Sequence, residues 1–408
     1  MTYFPDISVK FSDSPTVDAF GRGRVSAPTT IWEDQQTYGD NGLRWENSVA
    51  GTGVVSNRTA EASVRISTGG TASGARVYRQ TKVAHHYQPG KSQLVKQTFA
   101  IGPVVTNARA RAGYFDARNG LFVERDGSTV SVVRRTYVSG SPVDNKVAQS
   151  SWNLDKLDGT GKSGKTLDPT KTNIFVVDLQ WLGVGRVRFG WVIDGTLIYC
   201  HQMVHAGVLT EVYMTTANLP LRFEVENTGT ASGTLYLDHI CSAVESEGGQ
   251  EDPGGVTFTT SNGITTIGVT TRRPVLSVRA KATGPNSVTN VGQILLRQAE
   301  LYAGTNAAFY EIVLNGTLTG ASFSAVDASY SIAERDTAAT AISGGVVIDS
   351  GFVPASAGSR ATAFEASFRK LPLVYSGLLN VQDTLSLVAT SFSATSNVSA
   401  ALTWEEVV

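Results

Sequence analysis

Between Trp181 and Cys200 the chain reads WLGVGRVRFGWVIDGTLIYC, two apolar runs with alternating character. Gly183 and Gly185 interrupt the first run, and Asp194-Gly195 joins the second to the strand-like residues after it. Arg186 and Arg188 lie two apart and share one face, while Val187 and Phe189 share the other. A period of two is that of a strand with one buried side. Asp-Gly between apolar runs marks a hairpin. This register predicts Val187 and Phe189 in the core and Arg186 and Arg188 on the outer face.

The same pattern recurs on both sides. Residues 75–78, 93–99, 108–114, 120–126, 129–134 and 174–179 read as successive short strands, and 221–225 and 234–237 come after them. Asp126-Gly127 joins one pair of them as a hairpin. Residues 152–168 form a long polar connection. Many short antiparallel strands with few helix signals predict an all-β chain built as a β-sandwich or jelly roll. Residues 1–70 are poorly periodic and read as an N-terminal arm, with weak strand signals at 49–54 and 60–66. Residues 71–245 form the sandwich. The acidic, glycine-rich SEGGQEDPGG at 246–255 reads as a linker. Residues 256–408 form a second β-rich domain, read as a second sandwich from strand signals about ten residues apart. Residues 327–339 are read there as a helical turn, and 361–368 as a strand.

Composition adjusts this picture only slightly. A chain of 408 residues with 41% hydrophobic and 17% charged residues is long for one core. Forty-one glycines without a collagen period fit many turns between strands. A formal net charge of -1 implies no long-range attraction to nucleic acid. The basic pairs Arg22/Arg24 and Arg134/Arg135 read as a solvated face. Cys200 and Cys241 allow one disulfide at most, and each lies near the end of an apolar run, the setting of a free buried thiol. No signal peptide is indicated at the N-terminus, and no apolar run is long enough for a membrane span.

Candidate chemistry is sparse. Gly159 to Thr166 matches the phosphate-loop spacing, but Pro169 comes at once after it and opposes the helix such a loop needs. The run reads as a surface loop. His201 and His205 stand four apart with Gln202 between them, near Cys200 and upstream of His239 and Cys241. On a strand that spacing is about 13 Å, too far for joint metal ligation. Asp178, Asp194 and Asp238 sit near strand ends and suit turn hydrogen bonds. A glycosidase needs two carboxylates facing across a cleft, and the sequence singles out no pair. The expected catalytic, cofactor and metal residues are therefore none. Large aromatics in the polar N-terminal segment, Trp32, Tyr38 and Trp45, together with Arg186 and Arg188, are the candidate interface residues.

Four stretches carry a family resemblance. They are ARAGYFDARNGLFVERDG at 110–127, LDGTGKSGKTLDPTKTNIFVVDLQWLGVGRVRFGWVIDG at 157–195, VYMTTANLPLRFEVENTG at 212–229 and FGRGRVSAPTTIWEDQQTYG at 20–39. Together they span roughly residues 20–245, and they resemble structural proteins from tailed bacteriophage virions. The resemblance implies a lectin-like, concanavalin-like sandwich located in the virion. It implies a non-enzymatic role without cofactor, as a capsid-decorating, neck, tail or fibre component. The implied partners are further copies of the chain as a homo-oligomer and other virion proteins, with neither nucleic acid nor membrane. The alternative is a carbohydrate-binding module that adheres to host-surface glycan. A third reading is an enzyme acting on surface polysaccharide.

Overall fold

The computed structural model describes residues 17–18, 21, 28–249, 255–355, 360–363 and 372–408. Most of the glycine-broken stretch 20–25, the middle of the 246–255 linker and the end of the 361–368 strand lie outside the described residues. The chain forms two compact units, Met1–Glu251 and Asp252–Val408. Both are all-β, with only single-turn 3-10 segments besides strands among the described residues.

In chain order the strands of the first unit are β1 (Thr29–Gln35), β2 (Trp45–Ala50), β3 (Val54–Arg58), β4 (Ser63–Ser67) and β5 (Arg76–Thr81). They continue with β6 (Ser92–Ile101), β7 (Ala108–Phe115), β8 (Gly120–Asp126), β9 (Thr129–Thr136) and β10 (Val143–Ala148). The last are β11 (Asn173–Leu179), β12 (Val187–Ile193), β13 (Thr196–Met203), β14 (Leu221–Asn227) and β15 (Tyr236–Glu247). One sheet runs β13-β12-β11-β6-β15-β4-β3, with β1 paired to the far half of β15. The other runs β10-β9-β8-β7-β14-β5-β2. Every pairing between these strands is antiparallel.

The expected irregular arm is corrected by this arrangement. Residues 29–67 contribute β1 to β4, which complete both sheets. The alternation of Ser63–Ser67 marks β4 within the weak signal at 60–66, whereas β1 and β3 alternate too weakly to announce strands, because they lie at sheet edges and are half exposed.

One apolar core lies between the sheets. Ala110, Ala112, Leu121, Val123, Phe223 and Val225 enter it from the seven-stranded sheet. Phe99, Phe175, Val187, Phe189 and Trp191 enter from the other. The rings of Phe99, Phe175, Phe189 and Trp191 meet at centroid distances between 4.8 and 6.3 Å, the range of favourable aromatic pairs. The predicted hairpin is present. Asp194 and Gly195 take φ of 49° and 74°, the left-handed geometry that a two-residue hairpin requires.

The second unit pairs two further sheets. A five-stranded one is built on Gln293–Ala303 and Ser396–Val407, and a six-stranded one on Arg273–Ala280, Ala308–Leu314 and Thr384–Ser391. Trp404, Leu402, Ile312 and Leu387 lie in the core between them. The expected helical turn at 327–339 is instead a turn leading into the strand Ala333–Asp336. The buried Glu406 carboxylate ties that turn down. It accepts from Ser331 Oγ at 2.6 Å, Ile332 N at 2.7 Å and Trp404 Nε1 at 2.9 Å.

Candidate functional site: a charged ladder across one sheet

Strict alternation in the seven-stranded sheet sends every second residue outward. On β7 the alanines face the core, so Arg109 and Arg111 face out. On β8 the outward residues are Phe122 and Glu124, and on β14 they are Arg222, Glu224 and Glu226. The antiparallel register sets Glu224 opposite Arg111 and Arg111 opposite Glu124. Two carboxylates therefore flank one guanidinium on three neighbouring strands.

The contacts continue across all seven strands. Arg111 donates from Nε to Glu124 at 2.7 Å and from Nη1 to Glu224 at 3.2 Å. Lys146 on β10 reaches the other Glu124 oxygen at 2.6 Å. Asp144, also on β10, binds Arg135 of β9 through both oxygens at 2.7 and 3.0 Å and lies 3.5 Å from Arg111. On the opposite side Arg222 lies 2.7 Å from the second Glu224 oxygen and donates to Gln80 of β5 at 3.2 Å. Gln80 donates to Glu46 of β2 at 2.8 Å. A second, shorter row joins Arg109 and the Tyr78 hydroxyl to Glu226 at 2.9 and 3.0 Å.

Aromatic rings form the floor beneath these charges. Phe115, Phe122 and Val133 are fully buried together on this face. The Arg111 and Arg135 guanidiniums stand 5.4 and 5.1 Å from the Phe122 ring, and Arg222 stands between Tyr78 and Phe115 at 4.9 and 5.6 Å. Delocalised guanidinium planes tolerate such stacking while keeping their edges for carboxylates. Phe122 lies against bare backbone because its neighbour across the strand is Gly113. A Cβ there would stand 2.4 Å from both Leu121 O and Phe122 Cβ.

The electrostatics arise from burial and pairing. Burial opposes the charge on Arg111, but Glu224 and Glu124 outweigh it and hold its pKa above the ordinary value. Burial alone would raise the Glu124 carboxyl. Arg111 and Lys146 overcome it and hold the group below the usual range. Glu224 is likewise lowered against burial, by Arg222 and Arg111. Tyr78 is pushed up to about 12 by burial and by Glu224 and Glu226. Both central carboxylates are thus ionised at neutral pH.

The five candidate interface residues are placed elsewhere. Trp45 is 1% exposed and belongs to the core, with its indole nitrogen on Asp34. Trp32 is half-buried, edge-on to Trp45 at 5.5 Å and capped by Arg44. Tyr38 is fully exposed in the loop after β1. Arg186 precedes β12 and donates to Asp18 O at 2.9 Å. Val187 and Phe189 face the core as the register requires, and Arg188 lies on the opposite face of the strand. Yet Arg188 is fully buried, paired to Asp178 and donating to Val17 O. Asp178 also accepts from Tyr199 Oη at 2.6 Å and Ser92 Oγ at 3.1 Å. It is therefore a buried hub and not a turn residue. Asp194 and Asp238 pair with Lys165 and Arg65, each at 2.7 Å.

The remaining motifs resolve into local structure. Gly159 to Thr166 folds back on itself through Gly159 N to Lys165 O at 3.0 Å and leads to strand β11. His201 accepts from Asn153 N, His205 binds Gly185 O and stacks on Tyr213, and His239 stacks on Phe223. Among the described residues no group of three or more His, Cys, Asp or Glu is placed to hold a metal ion. Cys200 and Cys241 are both free thiols. Arg135 is a buried ladder residue, which corrects its reading as part of a solvated face. No helix among the described residues is long and apolar enough to cross a membrane.

No family model matches the chain, and no curated protein matches it. Solved structures do. One belongs to work on endo-acting O-glycanases that human gut microbiota express to initiate mucin breakdown; at 11% identity it covers 53% of this chain and 99% of its own, with a TM-score of 0.37. A legume lectin-like domain from Entamoeba histolytica matches at 7% identity over 54% of this chain and 98% of its own, TM-score 0.33. A Bacillus licheniformis β-glucanase matches at 12% over 54% and 98%, TM-score 0.33.

These comparisons correct two expectations. The similar structures named include lectin-like, carbohydrate-recognition and glycoside-hydrolase domains, and none of those named is a phage particle protein. The reading as a virion structural component, with its capsid, neck, tail and fibre roles, is set aside. The expectation of no enzymatic activity is set aside with it: a β-glucanase and glycosyl hydrolases are among the similar structures, and the likeness assigns this chain no activity of its own.

Proposed function

We propose that the first unit is a lectin-like, jelly-roll sandwich that binds glycan on the outward face of its seven-stranded sheet. The observation that carries this reading is the ladder itself, a row of carboxylates and guanidiniums over an aromatic floor. Planar charged groups offer paired acceptors and donors to adjacent sugar hydroxyls, and the buried aromatic floor holds those groups flat. Lys146, Asp144, Arg109 and Tyr78 are the partly exposed members and the first that a ligand meets.

A second reading is hydrolysis. Glu124 and Glu224 bond Nε and Nη1 of one guanidinium at 2.7 and 3.2 Å, which puts the bonded oxygens at most about 8 Å apart, within the span an inverting carboxylate pair uses. Arg111 stands between them and keeps both ionised. A bound glycan must displace that guanidinium before either carboxyl can hold a proton.

A glycan array and then calorimetry on the full chain test the binding reading. Lys146→Ala and Tyr78→Phe are expected to weaken glycan affinity at least tenfold in a chain that is still folded by circular dichroism at the assay temperature. Equal affinity in both variants removes the ladder as the site. Release of reducing ends that disappears in Glu124→Gln assigns catalysis.

A further inference from the structure

We infer that the ladder selects uncharged glycans and rejects uronate, sulfated and sialylated ones. This rests on the glycan-binding reading above and names its ligand class. An acidic sugar is held through a cation free to pair with it, because a charge-assisted bond is worth roughly twice a neutral one. Each ladder cation already faces a protein carboxylate. Arg111 lies between Glu124 and Glu224, Arg135 holds Asp144 through two bonds, and Lys146 ends on Glu124. Arg222 meets Glu224, and Arg109 meets Glu226. Arg76, at the edge of the shorter row, lies cross-strand from the same Glu226 and over the Tyr78 ring.

An incoming carboxylate or sulfate meets two penalties here. It must displace a buried carboxylate from its partner, and it stands beside the oxygens of Glu124, Glu224 and Glu226 while doing so. Like charges at such separations repel strongly where water is excluded. A neutral sugar hydroxyl meets neither penalty. It donates to a spare carboxylate lone pair or accepts from a spare guanidinium N–H, and leaves the ion pairs intact.

The test uses the full chain and two sets of probes. Neutral hexaoses of β-glucan, mannan and galactan type form one set; oligogalacturonate, alginate and heparin oligosaccharides form the other. A member of the neutral set is expected to bind, with affinity changing less than twofold between 50 and 500 mM NaCl. The acidic set is expected not to bind. Glu226→Gln frees Arg109 at the rim and is expected to create binding of an acidic probe that falls at least tenfold over the same salt range, since exposed charges are screened. Salt-sensitive binding of acidic probes by the unaltered chain overturns the inference and leaves the glycan reading standing. Acidic probes that still fail to bind Glu226→Gln overturn the charge-masking account. No binding to either set removes the glycan reading and the inference with it.

Discussion

Each unit carries arginine–carboxylate pairs on a sheet face turned away from its core, and the two sets are built differently. In the first unit Arg111 is 6% exposed and its partners Glu124 and Glu224 are 2% and 4% exposed. In the second unit Arg279 and Glu334 pair at 2.7 Å, but they are 29% and 24% exposed. Bond lengths barely distinguish them; the surroundings do. Arg111 is stacked on an aromatic floor and shared between two acids, whereas Arg279 lies over the single ring of Phe323 and is partly exposed. A pair in water exchanges one good solvation for another. A buried set has lost its water, and each member depends on the others.

The largest expected consequence is for Arg111→Ala. It leaves two buried carboxylates with one cation each, Lys146 on Glu124 and Arg222 on Glu224, and should cost about 3 kcal/mol, the lower end of the penalty for breaking a buried pair. Urea unfolding of the full chain, monitored by hydrogen exchange in the first unit, measures it. A loss below 1 kcal/mol would show that water reaches the ladder freely and would erase the contrast.

Acid should separate the units next. All five histidines lie before residue 252. His85 is driven down to about 3 by burial and by Arg44, and His239 lies well below its ordinary value through burial and Arg79. Both stay neutral in the folded chain while the unfolded chain takes up protons near pH 6.5. Stability is therefore lost as pH falls below that point, by roughly 1.4 kcal/mol per pH unit for each such histidine. The lowered Glu124 and Glu224 act in a lower window. Their contribution is intact above the ordinary carboxyl value and is lost as pH falls through their depressed ones. Hydrogen exchange at pH 6.5, 5.5 and 4.5 should show the first unit loosening in steps while the second stays protected. Equal loosening of both would place the acid-sensitive groups elsewhere.

The smallest effect is expected for Arg279→Ala, under about 1 kcal/mol, as for exposed pairs in general. Urea unfolding with hydrogen exchange in the second unit reads it. A loss matching that of Arg111→Ala would mean that exposure does not decide the weight of these pairs.

The sheets are legible in the sequence where one face is apolar. Val187 and Phe189 alternate with Arg186 and Arg188, and Asp194-Gly195 can hardly be anything but a turn. The segment from Thr29 to Ala50 hides most of its strands because Trp32 and Trp45 stand among polar residues, and the packing around Trp45 depends on Arg79 and His239, which lie far along the sequence. The ladder leaves a fainter trace. Charges two apart, Arg109/Arg111 on β7 and Arg222/Glu224/Glu226 on β14, do announce a charged face. Which acid meets which base depends on strand order, and β14 enters beside β7 only after about a hundred intervening residues. Arg188 shows the same limit. Its outward direction comes from period two, but its burial comes from Asp178 on the neighbouring strand and from Val17.

Gly113 ties the ladder to the backbone beneath it. Its missing side chain lets two strands close over Phe122, and a single added carbon would have to force them apart. The position works as a keyhole: the smallest residue of the face decides whether the largest charged row can lie flat. Variation among related chains should therefore be frozen at 113, where any change alters the sheet before it alters the ligand.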